Sequence, residues 1–134
     1  MCQTGISHLV SLVIGALAAS TCLAFSLVDM PLAPETARNR IGETITVEMI
    51  VQAAKDRLEK RGEIYLDSET NFRDHKNFAV VITRTGASSL KEAGINNPAE
   101  HYKNKKIRAT GTVKEVDKVP RIEIDDAKQI SIVE

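Results

Sequence analysis

Lys60, Arg61, Arg73, Lys76 and Arg84 place five cations around a single aromatic residue, Tyr65. Residues of these types can hold a nucleic-acid strand, because cations attract phosphates and a base stacks on the ring. Glu59, Glu63, Asp67, Glu69 and Asp74 are interleaved with them, and that alternation of sign favours an ordinary solvated face with one amphipathic tyrosine. A second basic group, Lys103, Lys105, Lys106, Arg108 and Lys114, includes two residues, Arg108 and Lys114, that point outward from the same expected strand. Pairing with Glu123 and Asp125 on the next strand is their favoured use, with phosphate contact the alternative.

Other chemistries find less support. His75 and His101 have no cysteine or second histidine at a metal-ligand spacing. Asp125-Asp126 offers too few oxygens for a hard cation. Ser89 lacks the glycine pattern of a nucleophile elbow and starts a Ser-x-x-Glu capping box instead. The two cysteines, Cys2 and Cys22, lie in an apolar leader, so the body has neither a disulfide nor a thiolate metal site. The residues therefore point to binding without catalysis, metal or cofactor.

The charge distribution divides the chain. All 18 basic and 18 acidic residues of the 134 lie at or beyond Asp29, and residues 1–28 carry none. The remainder suits one domain with one core. A net charge of zero supplies no global field for nucleic acid or membrane, so electrostatic attraction must come from a local patch. Leu9–Val28 is apolar or small throughout, about 30 Å long as a helix. It is expected to act as a signal peptide or membrane anchor over residues 1–24, which makes the product periplasmic or extracellular. Ala19-Ser20-Thr21-Cys22 is similar to a lipoprotein box, and a lipidated Cys22 or an uncleaved leader would be the membrane attachment. Residues 25–37, with Pro31 and Pro34, suit a spacer, and 38–134 form the domain.

The elements that must position the candidate residues are short. Glu35–Ile41 can form two helical turns before Gly42. In residues 44–52, Ile45, Val47, Met49 and Val51 alternate with polar residues, as in a half-buried strand. Lys55–Gly62 is charged, ends in a glycine and reads as a loop or frayed turn. Residues 63–67 put Ile64 and Leu66 inward and Tyr65 outward, and residues 77–83 (NFAVVIT) form a nearly continuous apolar run typical of a buried strand. Asn97-Pro98-Ala99-Glu100 has the N-cap and first-turn proline of a helix start. Residues 106–116 turn Ile107, Ala109, Gly111 and Val113 inward, residues 121–125 do the same with Ile122 and Ile124, and residues 129–133 form a last strand.

This order, all-β with little helix and a short helical insertion between strands 3 and 4, is that of a five-stranded OB-fold Greek-key barrel. Residues 41–47 (IGETITV), 102–113 (YKNKKIRATGTV), 120–124 (PRIEI) and Gln129-Ile130 resemble the strand 1, 4 and 5 signatures of bacterial single-domain OB-fold proteins, similar to the nucleic-acid-binding, anticodon-binding type. The resemblance spans roughly residues 38–134. It implies a ligand surface over strands 2 and 3, reached by Lys60, Arg61, Tyr65, Arg73, Lys76 and Arg84, with Arg108 as a further candidate. The reading is a monomeric exported binding module for a protein, an oligosaccharide or a nucleic acid, with single-stranded nucleic-acid binding as the alternative.

Overall fold

A computed structural model describes residues 30–134; the expected leader, with Cys22 and the first part of the spacer, lies outside them. The protein is mostly β with a few short helices. In chain order the elements are β1 (Pro31–Leu32), α1 (Pro34–Ala37), β2 (Thr44–Ile50), β3 (Ala53–Arg57), α2 (Leu58–Arg61), β4 (Glu63–Asp67), β5 (Ala79–Thr83), α3 (Arg84–Glu92), α4 (Pro98–Tyr102), β6 (Lys106–Val116), β7 (Val119–Ile124), a 3-10 turn (Ala127–Gln129) and β8 (Ile130–Ile132). Part of the expected spacer is thus built into the fold: β1 pairs in parallel with β2, and Ala37 is fully buried.

The strands form one mixed sheet of eight, ordered β1-β2-β6-β7-β5-β4-β3 with β8 against β6, where five strands were expected. Pairing is antiparallel except for β1 with β2 and β5 with β7. The extra strands arise mainly where the backbone rather than the side chains decides. α2 is the turn allowed for in the Lys55–Gly62 segment, expected to be a loop or frayed turn, but β3 occupies its start, where Ala53–Arg57 pairs residue for residue with Asp67–Glu63. Its side chains are half-buried or exposed, so apolar periodicity carries no sign of it, and its stability comes from ladder bonds to β4.

Only Val51 and Gln52 separate β2 from β3, although the two lie far apart in the sheet order. Val51 N–H donates to Lys105 O (2.9 Å) and Asn104 N–H to Val51 O (2.8 Å), on the β6 side; Gln52 N–H donates to Asp67 O (2.9 Å), on the β4 side. One bent stretch of backbone therefore supplies strands to both sides of the core.

The alternation read from the sequence is seen in the packing. Val47, Val51, Leu66, Ile107, Ala109, Ile122 and Ile124 are fully buried, with Ile45, Met49, Ile64 and Val113 nearly so. β5 is apolar and buried from Ala79 to Ile82 and ends at Thr83. Each buried Val, Leu, Ile or Met side chain among them contributes about 1.5–3 kcal/mol. Leu90 of α3 and Ala99 and Tyr102 of α4, all buried, join the same core.

The caps differ in part from expectation. Asn97 Oδ1 accepts from Glu100 N–H with Pro98 following, as the spacing implied. Ser89 does not begin a helix: it lies within α3, where its Oγ accepts the Ala127 N–H (2.9 Å). Thr83 is the cap, its hydroxyl accepting from Gly86 N–H (3.1 Å) and donating to Asp125 Oδ1 (2.6 Å). The expected helix before Gly42 ends earlier, at Ala37. β6 and β7 join through a two-residue turn, Asp117-Lys118, with φ of 52° and 67°, left-handed values that the twist of a tight hairpin demands.

Gly86 sits where α3 approaches β7, and a Cβ there would run into the Ile124 carbonyl oxygen. Gly86→Ala is expected to lower stability by about 2 kcal/mol, read as a fall in the urea midpoint. Ser88→Ala, on the exposed side of the same helix, should stay within about 0.5 kcal/mol of the parent. Equal midpoints for the two variants would refute the close-approach account.

Candidate nucleic-acid interface

β3, α2, β4, the loop between β4 and β5, and the β6–β7 hairpin surround a groove of about 770 Å³. Alternation along β4 turns Ile64 and Leu66 to the core and Tyr65 to the groove wall, opposite Lys55 of β3. The parallel pairing of β7 with β5 brings Arg121 beside Ala79 and into the same groove. Lys55, Arg57, Lys60, Arg61, Arg73, Lys118 and Arg121 line it, against Asp67, Asp74 and Asp117. Among the described residues, Arg121 is the one of those seven cations with a carboxylate within 4.0 Å.

Arg121 is tightly held. Its Nη1 donates to Glu63 Oε2 (2.8 Å) and lies 3.4 Å from Glu123 Oε2. Tyr65 donates its hydroxyl to Glu63 Oε1 (2.7 Å), and the Arg121 guanidinium carbon lies 6.0 Å from the centre of its ring. Burial raises the Tyr65 phenol above its ordinary range, and its bond to Glu63 acts in the same direction. The ring is therefore a neutral, oriented platform at physiological pH. The second aromatic residue of the groove, Phe72, is 44% exposed, with Lys55 Nζ 4.6 Å and the Arg73 guanidinium carbon 5.4 Å from its ring centre. Such cation–π contacts orient the cations and leave their charge in place.

Four of the seven candidate residues, Lys60, Arg61, Tyr65 and Arg73, line this groove. The other three lie elsewhere. Lys76 borders a smaller cleft with Glu48, Glu69 and Lys106. Arg84 packs beside Gly62 with its Nη2 3.4 Å from Glu59 O. Arg108 Nε pairs with Glu48 Oε1 (2.8 Å), its register partner across β2 and β6. The expected Lys114–Glu123 pair is present at 2.8 Å, whereas Asp125 takes the Thr83 hydroxyl and Asp126 caps the 3-10 turn. His75 lies at the groove with its Nδ1 3.6 Å from Asp74 Oδ1, and His101 stacks edge-on against Tyr102.

The sequence reading missed Lys55, Arg57, Phe72, Lys118 and Arg121. Phe72 alone carried a signal, as one of few aromatic residues. The other four reach the groove through a backbone-defined strand, a hairpin turn and a parallel pairing, none of which is written in residue type.

Asp67 and Asn77 also line the groove and are 3% and 1% exposed. Asn77 Nδ2 donates to Asp67 Oδ1 (2.9 Å) and Phe72 O (3.3 Å), while its Oδ1 accepts from Glu69 N–H (3.1 Å). One amide thus ties Phe72 and its loop to the end of β4. Burial pushes the Asp67 carboxyl up, while the Asn77 donor and the Lys55 charge pull it partly back.

A raised folded value means that the native state binds the proton more tightly than the unfolded state. The associated stability is complete at acid pH and is lost as pH rises from the ordinary aspartate range through the raised value. Asp67→Asn keeps an oxygen for Asn77 and removes the charge. Urea midpoints from acid to neutral pH are expected to show the variant gaining on the parent as pH rises; parallel curves would contradict a buried, titrating carboxyl.

No family model and no curated protein matches the chain. Solved structures do resemble it in fold. An aspartyl-tRNA synthetase from Leishmania major Friedlin superposes with a TM-score of 0.51 at 11% identity, over 78% of this chain and 21% of that one. Asparaginyl-tRNA synthetase from Pyrococcus horikoshii gives 0.50 at 10% identity, over 77% of this chain and 23% of that one. The chain thus spans less than a quarter of either synthetase, and the likeness is one of an OB-like β fold.

Proposed function

We propose that the protein binds a single nucleic-acid strand in the groove between β3, β4 and the β6–β7 hairpin. One observation carries the reading: six Lys and Arg side chains without a carboxylate partner among the described residues converge with two aromatic rings on one groove. Phosphates would meet Lys55, Arg57, Lys60, Arg61, Arg73 and Lys118, and bases would stack at Tyr65 and Phe72. The fold-level neighbours are by name enzymes of tRNA, which supports the choice of ligand class by analogy. The wider sequence reading, a module for a protein or oligosaccharide, explains less well why the cations gather around aromatic rings. We take the activity to be binding without catalysis, and the uncharged leader to direct it outside the cytoplasm.

Fluorescence anisotropy of labelled single strands of about 10 nucleotides, DNA and RNA, tests this with the full chain. Saturable binding that weakens steeply with salt is expected. Tyr65→Ala should cost about 1–3 kcal/mol, the range for a stacked base. Arg108→Ala, paired with Glu48 outside the groove, should leave affinity unchanged. An absence of binding at low salt would remove nucleic acid as the ligand.

A further inference from the structure

Asp67 is an unusual feature for a groove that attracts phosphate. The residue is only 3% exposed, yet it belongs to the groove lining amid seven cations. Among the described residues its one hydrogen bond is from Asn77 Nδ2 to Oδ1 (2.9 Å), and Oδ2 accepts none. Asn77 is itself buried and tied to Phe72 O and Glu69 N–H, so the Asp67 oxygens are presented in a fixed orientation. Oδ2 is not among the fully buried atoms left without a partner, so it is open to the groove that Asp67 lines, and an acceptor placed in this way favours ligands that bring a donor to it over those that bring none. Phosphate oxygens are acceptors only. The donors a bound strand can offer Oδ2 are the N–H groups of its bases and, in RNA, the ribose 2′-OH; the exocyclic amino group is the one that cytosine and the purines carry and uracil and thymine lack.

Resting on the single-strand reading, we propose that Asp67 is a specificity determinant: its Oδ2 accepts a hydrogen bond from the exocyclic amino group of a base, so the groove takes cytosine and the purines in preference to uracil or thymine. Cytosine offers its N4 amino group where uracil presents a carbonyl oxygen, O4, which would face the carboxylate as one acceptor against another. The two pyrimidines otherwise have similar size and stacking surface. The preference is therefore separable from the stacking on Tyr65 and Phe72 and from the pull of the cations.

The test is anisotropy of labelled oligocytidine and oligouridine RNAs of equal length, titrated with the full chain and with Asp67→Asn. The parent protein is expected to bind oligocytidine about tenfold or more tightly, as for one hydrogen bond to a charged group. In Asp67→Asn the side-chain oxygen stays on the Asn77 donor, which turns the new amino group toward the base. The cytidine preference should then vanish or reverse in favour of uracil O4, with oligouridine bound at least as well as before. Equal affinities in the parent protein would overturn the base assignment and leave strand binding intact, as would a cytidine preference that survives Asp67→Asn. Binding of neither RNA at low salt would overturn both proposals. The urea midpoint shows whether the variant is folded, and the ratio measured on the parent protein decides the assignment without it.

Discussion

The bend at Val51–Gln52 is the constraint from which the rest of the architecture follows. Val51 bonds to Lys105 and Asn104 on the β6 side, whereas Gln52, the next residue, bonds to Asp67 on the β4 side. Both backbone bonds of Val51 are made while its side chain is fully buried, so the turn of the chain leaves no orphaned donor or acceptor there. Without that change of partner, β3 could not pair with β4. The groove would then lose Lys55 and Arg57, and Tyr65 would lose its cross-strand neighbour. No glycine lies in the bend; the buried valine and ladder bonds on both sides hold it.

The chain as a whole is electrically neutral, yet seven of its Lys and Arg side chains gather on one groove. Acidic residues are distributed so that some neutralise cations elsewhere: Glu48 takes Arg108, and Glu43 takes Arg40. Others position groups inside the groove. Glu63 holds both Tyr65 and Arg121, so its charge orients an aromatic ring and an arginine at once. The more exposed pairs, Arg40–Glu43 and Arg108–Glu48, contribute little to stability, in the range of 0 to about 1 kcal/mol. Their consequence is local field: the cations without a carboxylate partner among the described residues line the same groove.

Rigid support for the groove comes from buried polar contacts. Asn77 fixes Asp67 and the backbone at Phe72 and Glu69, tying the exposed aromatic loop to a core strand. At the far rim, the Asp117-Lys118 turn holds Lys118 in a left-handed backbone conformation that non-glycine residues seldom adopt. Its position is set by the paired ends of β6 and β7, Val116 opposite Val119.

Much of the fold was legible because the core uses a period of two. The inward series Ile45–Val47–Met49–Val51 and Ile64–Leu66, the buried run of β5, and the long alternation of β6 were set by apolar residue type alone. The Asn97 cap and the Lys114–Glu123 pair were legible for the same reason, that spacing along or across one element determines the contact. The site was legible only where it lies on such elements or beside them: Lys60, Arg61, Tyr65 and Arg73. β3 carries no apolar pattern, and it exists because backbone bonds to β4 outweigh its charged side chains. Arg121 enters the groove only through the parallel pairing of β7 with β5, and Phe72 is fixed there by a hydrogen bond from Asn77 to its carbonyl. Local sequence determined which residues turn inward, because burial depends on residue type. The tertiary structure alone decided which cations share a groove, because that depends on strand order and register, which join residues distant in the chain.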